Sequence, residues 1–243
     1  MFYFGIPSYK RSKEQLTLIY LSKLGYSKER IILSTQTQED YDEYKKLYKE
    51  VATIIFYEGN CVGDNRNNIL KFLPLNSNIV MLDDDIKSLQ KLSMSGKLER
   101  IDSKEELDKF IENAFNYAKT KNARIWGVYP VNNSYFMKTT IDKRNILIGC
   151  VMGLINCFKF DTSFRTKEDY ELCCREMKKG YNCVRFNYIT ADAKHKTNSG
   201  GCKEDWKYEI NKKSADMLIA KYPEMIKRNS KKLDEVRYVG KTK

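Results

Sequence analysis

The chain has 243 residues, of which 44 are lysine or arginine and 32 are aspartate or glutamate, giving a net charge of +12. This length favours one large α/β domain, because single domains of that class commonly reach about 200–250 residues. This positive charge excludes the class of acidic proteins that repel polyanions. It favours nucleic acid as a partner, and the alternatives are an anionic membrane surface or a role of the charge in solubility alone.

The first half of the chain alternates short apolar, β-branched runs with segments of helical periodicity. The predicted strands are 2–6, 31–33, 52–57 and 79–82, and the predicted helices are 12–25, 41–48 and 62–72. Ser12 and Gln15 have the spacing of a capping box, and Gly25 marks the end of the first helix. Repeated strand–helix steps predict a parallel sheet covered by helices, with right-handed crossovers.

The apolar run 79–82 ends abruptly in three carboxylates, Asp83, Asp84 and Asp85. A strand buried on both faces of a parallel sheet delivers ligands at its carboxyl end. Adjacent carboxylates repel each other, and a hard divalent cation such as Mg²⁺ or Mn²⁺ reverses that repulsion. The run therefore predicts a cation site at this strand end, with a solvated acidic loop that caps a turn as the alternative.

The second half of the chain is less regular. Lysines and serines between Lys87 and Arg100 predict a loop, and Ser103 begins a helix. The polar connection 130–144 is long enough to predict a binding loop. The remaining predictions are strands at 124–129, 146–150 and 182–186, a helix that opens at Thr166–Asp169, and a basic helical tail over about 203–232.

Cysteine content and hydropathy indicate the compartment. The seven cysteines are odd in number and form no C-x-x-C pair, so neither a disulfide framework nor a zinc ribbon is indicated. We expect reduced, mostly buried thiols in a cytoplasmic protein, or in the host cytoplasm if the protein is viral. The start lacks the features of a signal peptide, and the longest apolar run, 146–155, is too short to cross a bilayer.

Four stretches carry a resemblance to a known family. They are Phe4–Arg11, Gly59–Asn68, Met81–Asp85, and Phe160–Asp161 followed by Lys167–Gly180. In this order they resemble the nucleotide-contacting loop, the Gly/Arg/Asn segment, the D-x-D strand end and the acceptor-side helix of GT-A nucleotide-sugar glycosyltransferases. More narrowly, the compact chain with its D-D-D-I strand end and basic charge is similar to the phage-encoded, TET-associated enzymes thought to glycosylate modified DNA bases.

The resemblance implies an architecture. It implies an α/β fold with a single Rossmann-like GT-A domain, in which a mostly parallel sheet is flanked by helices and a basic helical C-terminal tail follows. The nucleotide-sugar-binding half would be 1–100, the acceptor half 101–202 and the tail 203–243.

The same resemblance implies a metal-dependent transfer of a sugar from a nucleotide-sugar to an acceptor hydroxyl, favouring hydroxymethylated pyrimidine in DNA. Asp83 and Asp85 would hold Mn²⁺ or Mg²⁺, and His195 would complete the coordination or touch the diphosphate. Asp169 would be the general base, with Glu168 as the second candidate. The residues implied in donor binding are Pro7, Ser8, Lys10, Arg11, Arg66, Asp83 and Asp84.

Alternatives remain at each of these positions. Thr166 and Asp169 have the spacing of a capping box, so Asp169 would then only satisfy a helix N-terminus. Arg66 would instead form a surface ion pair, and His195 would be a solvent-facing loop residue. At the level of function, the rivals are a glycosyltransferase acting on protein or glycan, a metal-dependent nucleotidyltransferase, and a DNA-binding module without catalysis.

Overall fold

The computed structural model describes residues 1–194 and 207–240 of the chain. Within these residues, most strands belong to one large mixed sheet. Its strands are β1 (Phe2–Pro7), β2 (Ile31–Thr35), β3 (Thr53–Phe56), β4 (Asn78–Leu82), β5 (Ile86–Leu92), β6 (Leu98–Arg100), β7 (Ala123–Tyr129), β8 (Ile141–Asp142), β9 (Val151–Ile155) and β10 (Asn182–Ala193).

Helices cover both faces of this sheet. They are α1 (Leu16–Lys23), α2 (Gln38–Tyr48), α3 (Val62–Phe72), α4 (Lys104–Thr120), α5 (Glu168–Lys178) and α6 (Tyr208–Lys221), with short 3-10 turns at Ser12–Glu14, Lys28–Arg30 and Ser134–Phe136. A separate hairpin, β11 (Ile226–Arg228) and β12 (Val236–Tyr238), follows α6. No helix within the described ranges is long and apolar enough to cross a bilayer.

The strand order is β3-β2-β1-β4-β9-β7-β10-β5-β6, and β8 pairs with β10. The first four strands in this order are parallel neighbours, which confirms the predicted strand–helix steps and the α/β class. Because β9 is antiparallel to both β4 and β7, those two strands run in the same direction. The carboxyl ends of β1, β4 and β7 therefore meet at one edge of the sheet, which we call the acidic edge after Asp83–Asp85.

The core lies on both faces of the sheet, and β4 shows why its sequence is uniformly apolar. Val80 and Leu82 pack on one face with Trp126, whereas Ile79 and Met81 pack on the other. All four β4 side chains are at most 2% exposed. Because successive strand residues point to opposite faces, only a strand covered on both sides needs an unbroken apolar run.

Two predictions for the second half of the sheet are wrong. The segment Lys87–Arg100 is not a loop, because β5 and β6 pair there as an antiparallel hairpin at the end of the sheet. The strand expected at 146–150 lies instead at Val151–Ile155. A long apolar run does not specify which of its residues pair, and here the ladders to β4 and β7 select the later five.

The first helix begins later than its capping-box spacing predicts. Ser12 opens a 3-10 turn, and α1 starts at Leu16 after Gln15, whose side chain donates to Ser8 and to the Arg11 carbonyl instead of capping the helix. Gly25 follows the helix with a φ of +79°, as predicted for a C-terminal glycine.

The helical tail predicted over 203–232 is confirmed only for Tyr208–Lys221. After that helix the chain forms the β11–β12 hairpin, so the prediction is wrong for 222–232. Of the six described cysteines, five are buried and Cys157 is exposed, which agrees with mostly buried thiols.

Candidate active site

The turn that carries the aspartates is fixed by α1. The Thr17 hydroxyl donates to the Asp83 carbonyl at 2.5 Å and accepts from the Ile86 amide at 3.0 Å. The Thr17 amide donates to the Asp84 carbonyl at 3.3 Å. The side chain of Asp83 is 34% exposed, whereas that of Asp84 is 6% exposed. The backbone therefore turns one carboxylate outward and its neighbour inward.

Asp84 belongs to a buried group that we call the Arg11 cluster: Ser8, Arg11 and Asp84. The Arg11 guanidinium donates to Asp84 Oδ1 at 2.5 Å, and the Ser8 hydroxyl donates to Asp84 Oδ2 at 2.6 Å. Arg11 also lies 3.4 Å from Asp85 Oδ2. Burial raises the pKa of Asp84, and the contacts with Arg11 and Ser8 oppose that rise. Both oxygens of this carboxylate are thus engaged within the protein.

The loop after β1 is held rigidly around this cluster. Ser8 Oγ lies 2.7 Å from the Tyr44 hydroxyl and accepts from the Gln15 amide at 2.7 Å. The Ser8 carbonyl accepts from Asn65 of α3 at 3.0 Å. Pro7 is buried as the last residue of β1, and Lys10 is exposed. Donor contacts predicted for this loop would therefore be made by a preformed structure.

A second group, the Arg66 cluster, consists of the buried Arg66 and Glu168 and the partly exposed Asp83. Arg66 lies on α3, and its guanidinium is 2.5 Å from Glu168 Oε1 and 3.5 Å from Asp83 Oδ1. It also donates to the Gly149 carbonyl at 3.1 Å. A Cβ at residue 149 would overlap the guanidinium, so the site requires glycine there.

Charge is only partly balanced in the Arg66 cluster. Burial raises the pKa of Glu168 to about 7 and that of Asp83 to about 7, although the Arg66 charge opposes both shifts. One guanidinium thus faces two carboxylates in surroundings that disfavour charge. The ion pair proposed as an alternative for Arg66 is present, but it is buried rather than on the surface.

Asp169 lies next to this cluster at the start of α5. Its Oδ2 accepts from the Gly149 amide at 2.7 Å, and its Oδ1 accepts from the Tyr170 amide at 2.8 Å. Burial raises the pKa of Asp169, against the opposing effects of Arg66 and of both amide donors. The capping box expected with Thr166 is wrong, because the Thr166 amide donates to the Ser214 hydroxyl instead.

The start of α5 is anchored by the C-terminal part of the chain. Lys167, the residue before α5, has a φ of +66° and a side chain that is only 2% exposed. Its ammonium donates to Asn211 Oδ1 at 2.5 Å and lies 3.3 Å from Glu235. The Thr166 hydroxyl donates to the same Asn211 oxygen at 3.0 Å. Helix α6 thereby sets the position from which Glu168 and Asp169 enter the site.

The aspartates leave oxygen atoms suited to a hard cation. In the described part of the chain, no three His, Cys, Asp or Glu side chains converge as a metal cluster. No described residue donates to the buried Oδ1 of Asp85. Asp83 is partly open, whereas Asp84 is fully engaged. An orphaned carboxylate oxygen beside an accessible one fits a divalent cation bound by Asp83 and Asp85, completed by other ligands.

The structure brings most of the predicted site residues together at the acidic edge. His195 lies outside the described residues; Lys194, just before it, donates its amide to the Asp85 carbonyl at 3.1 Å. The sequence analysis missed several supporting residues, namely Gln15, Thr17, Tyr44, Gly149 and Asn211. No local signal assigns them to the site. Thr17, Tyr44 and Asn211 lie on helices whose patterns indicate only ordinary packing. Gln15 was predicted only as part of a capping box, and Gly149 lies within an apolar run that was predicted to be a strand.

A family model agrees with this architecture. The model described as "TET-Associated Glycosyltransferase" matches residues 4–201 of the chain. No curated protein matches the chain.

Solved structures with similar folds include TarS of S. aureus, with a TM-score of 0.51 and 15% sequence identity over 90% of this chain and 39% of TarS. The mannosyltransferase PcManGT of Pyrobaculum calidifontis, solved with GDP-Man and Mn²⁺, has a TM-score of 0.56 and 11% identity over 89% of this chain and 61% of that protein. A mycobacterial protein has a TM-score of 0.56 and 7% identity over 98% of this chain and 83% of its own. The chain thus spans less than two thirds of the first two proteins, and the similarity confirms the predicted fold.

Proposed function

The chain belongs to the TET-associated glycosyltransferase family, and from this premise we propose that it transfers a sugar from a nucleotide-sugar to a hydroxyl group on DNA. The observation that carries the proposal is that Arg66 contacts one residue of the proposed donor-binding half and one residue of the proposed acceptor half. This arginine contacts Asp83, which follows the donor-side strand β4, and Glu168, which precedes the proposed base Asp169. One buried network therefore unites the donor and acceptor groups that such a transfer needs.

A divalent cation held by Asp83 and Asp85 would act as a Lewis acid that stabilises the diphosphate leaving group. A mannosyltransferase of similar fold, solved with GDP-Man and Mn²⁺, supports this choice of cofactor and of a nucleotide-sugar donor. Arg11 and Ser8 engage both oxygens of Asp84, so Asp83 and the orphaned Oδ1 of Asp85 are left for the cation. Lys10 is the exposed cation of the same loop, placed to contact the donor.

Asp169 is the proposed general base. As the acceptor oxygen attacks the anomeric carbon, the bond from that carbon to the donor phosphate breaks, and the nucleoside diphosphate leaves with the bonding pair. The acceptor proton passes to a carboxylate oxygen of Asp169. The Gly149 and Tyr170 amides orient this carboxylate, and the nearby Arg66 favours its ionised, proton-accepting form. A single carboxylate base facing the acceptor favours one direct displacement with inversion.

A hydroxymethylated pyrimidine in DNA is the proposed acceptor. The net charge of +12 attracts a phosphate backbone. A hydroxymethyl group on the base supplies the hydroxyl that unmodified DNA bases lack. The proposal therefore requires that unmodified DNA bind without accepting sugar.

The test is a transfer assay with nucleotide-sugars, Mn²⁺, and DNA with or without hydroxymethylated pyrimidines. Release of nucleoside diphosphate and a matching mass increase of the digested nucleosides are expected only with the modified DNA. Asp85→Asn should reduce transfer by about 10³-fold, the equivalent of about 4 kcal/mol of Lewis-acid stabilisation. Glu112→Gln, an exposed change on α4, is the matched control and should leave the rate unchanged.

Several outcomes would contradict the proposal. Near-normal turnover of Asp85→Asn would show that Asp85 is not a ligand of the cation. Pyrophosphate release from a nucleoside triphosphate would indicate nucleotidyl transfer instead. If five lysine or arginine side chains contact phosphates, DNA affinity should fall by about 500-fold between 50 and 200 mM salt. Binding that is insensitive to salt, or equal transfer to a peptide or glycan, would contradict the DNA acceptor.

A further inference from the structure

The connection after β7 leaves the sheet beside the proposed active site. Gly127 of β7 pairs with Met152 of β9, and continuing this antiparallel register places Tyr129 opposite Cys150. The Cys150 carbonyl accepts from the Asp83 amide at 3.0 Å. The connection therefore starts one strand away from the outermost aspartate of the acidic edge.

This connection presents two adjacent aromatic side chains to solvent. Tyr135 is 85% exposed and Phe136 is 54% exposed. Their rings lie 5.0 Å apart between centroids at an interplanar angle of 86°. Single exposed apolar residues are common, but two large exposed rings that pack on each other indicate a binding surface. We call this pair the aromatic platform.

The aromatic platform sits on an anchored turn. The side chain of Asn133 accepts from the Tyr135 amide at 3.0 Å, and Met137, the next residue after the pair, is buried. The Lys138 amide then donates to the Asn187 carbonyl of β10 at 3.3 Å. A fixed backbone on both sides means that the rings are held outward by the fold, so binding to them costs little ordering of the chain.

The charges around the aromatic platform favour an anionic partner. Lys138, two residues after Phe136 in the same connection, is exposed. The one acidic residue of this connection, Asp142, is paired with Arg185 at 2.9 Å. Exposed cations beside flat aromatic rings are the combination by which proteins bind single-stranded nucleic acid, since bases stack on rings and phosphates contact lysines.

We infer that Tyr135 and Phe136 stack on an unpaired nucleobase of the acceptor strand. This inference rests on the proposed function for its acceptor, and it adds that the acceptor base is read outside a paired duplex. Stacking on the platform requires the flat face of the base to be accessible. A base pair inside a duplex does not expose this face, because the neighbouring base pairs cover it.

The test measures binding of fluorescein-labelled DNA to the whole protein by anisotropy, at one salt concentration. Tyr135→Ala/Phe136→Ala should weaken binding of a single-stranded oligonucleotide by about 5- to 150-fold, the range for losing one stacked base. Duplex of the same sequence should lose little affinity, because its bases are already stacked. Tyr135→Phe keeps the ring and should bind as the wild type does.

Leu75→Ala is the matched control, because Leu75 is 75% exposed and precedes the amino end of β4, at the opposite edge of the sheet. Unchanged single-strand affinity of the double variant would overturn the platform. The platform would also be overturned if the double variant lost binding to an oligosaccharide while its DNA binding stayed unchanged.

Donor binding separates this inference from the proposed function. The double variant should keep the wild-type rise in melting temperature with nucleotide-sugar and Mn²⁺. If the wild type shows no such rise and transfers no sugar, yet the double variant loses single-strand affinity, the glycosyltransferase proposal fails while the platform stands.

Discussion

The two arginines of the acidic edge each face two carboxylates, but those carboxylates differ in the hydrogen bonds that they receive from other groups. In the Arg11 cluster, both oxygens of Asp84 are hydrogen-bonded, one by Arg11 and one by Ser8. In the Arg66 cluster, one guanidinium serves Glu168 and Asp83, and the pKa of each is raised to about 7 by burial. The first cluster braces a loop, whereas the second retains incompletely balanced charge, which is typical of sites of chemistry.

The largest expected effect comes from Asp169, the proposed base beside the Arg66 cluster. Asp169→Asn should lower turnover by about 10²–10⁴-fold, because the variant cannot accept the proton of the acceptor hydroxyl. Donor binding, measured by thermal shift with Mn²⁺, should stay the same. An unchanged rate would leave Asp169 a purely structural residue, and Glu168→Gln would then be the next variant to assay.

Arg66→Met should reduce the free energy of unfolding by about 3–5 kcal/mol, because it leaves the buried Glu168 carboxylate without its cation. Arg11→Met should cost less, since Asp84 keeps its hydrogen bond from Ser8 and Asp85 loses only a contact of 3.4 Å. Denaturant unfolding at pH 8 would measure both variants. Equal losses in the free energy of unfolding for the two substitutions would contradict the difference between the clusters. So would a double variant, Arg66→Met with Glu168→Gln, that is no more stable than Arg66→Met alone.

The pH dependence of stability provides a third test. Burial raises the pKa of Glu168 from its ordinary 4.5 to about 7, against Arg66, while Asp169 and Asp83 add to the rise. Between these values the folded protein holds a proton that the unfolded chain has lost, so stability falls as pH rises through this window. Relative to Glu168→Gln, the wild type should lose up to about 1.4 kcal/mol per pH unit. Parallel pH profiles for the two proteins would contradict the raised pKa.

The smallest expected effect concerns the anchor of α5. Asn211→Ala removes the acceptor of both the Lys167 ammonium and the Thr166 hydroxyl, and should cost about 1–3 kcal/mol of stability. We expect kcat to fall by about 10-fold, since misplaced catalytic groups lose rate. The KM for the donor should be unchanged. Lys212→Ala on the same helix serves as the control, because Lys212 forms a surface ion pair with Asp216. Equal kcat in both variants would show that the anchor is merely structural.

Local patterns in the sequence were enough for the elements that surround the donor side. The apolar run 79–82 followed by three aspartates predicted a strand buried on both faces and an acidic strand end, and both are present. Strand and helix periods are properties of a few neighbouring residues, so β1 to β4 and their helices could be placed from pattern alone. The same patterns placed the carboxylates but not their partners.

Only the tertiary structure decided which carboxylates face which cation. Arg66 and Glu168 are 102 residues apart, and Lys167 and Asn211 are 44 apart. Insertion of β9 between β4 and β7 brings Gly149 to Arg66 and Asp169, and packing of α6 fixes the start of α5. Such contacts follow from strand order and helix docking, which depend on the free energy of the whole core. A sequence period repeats every two to four residues and carries no information on pairing across such separations.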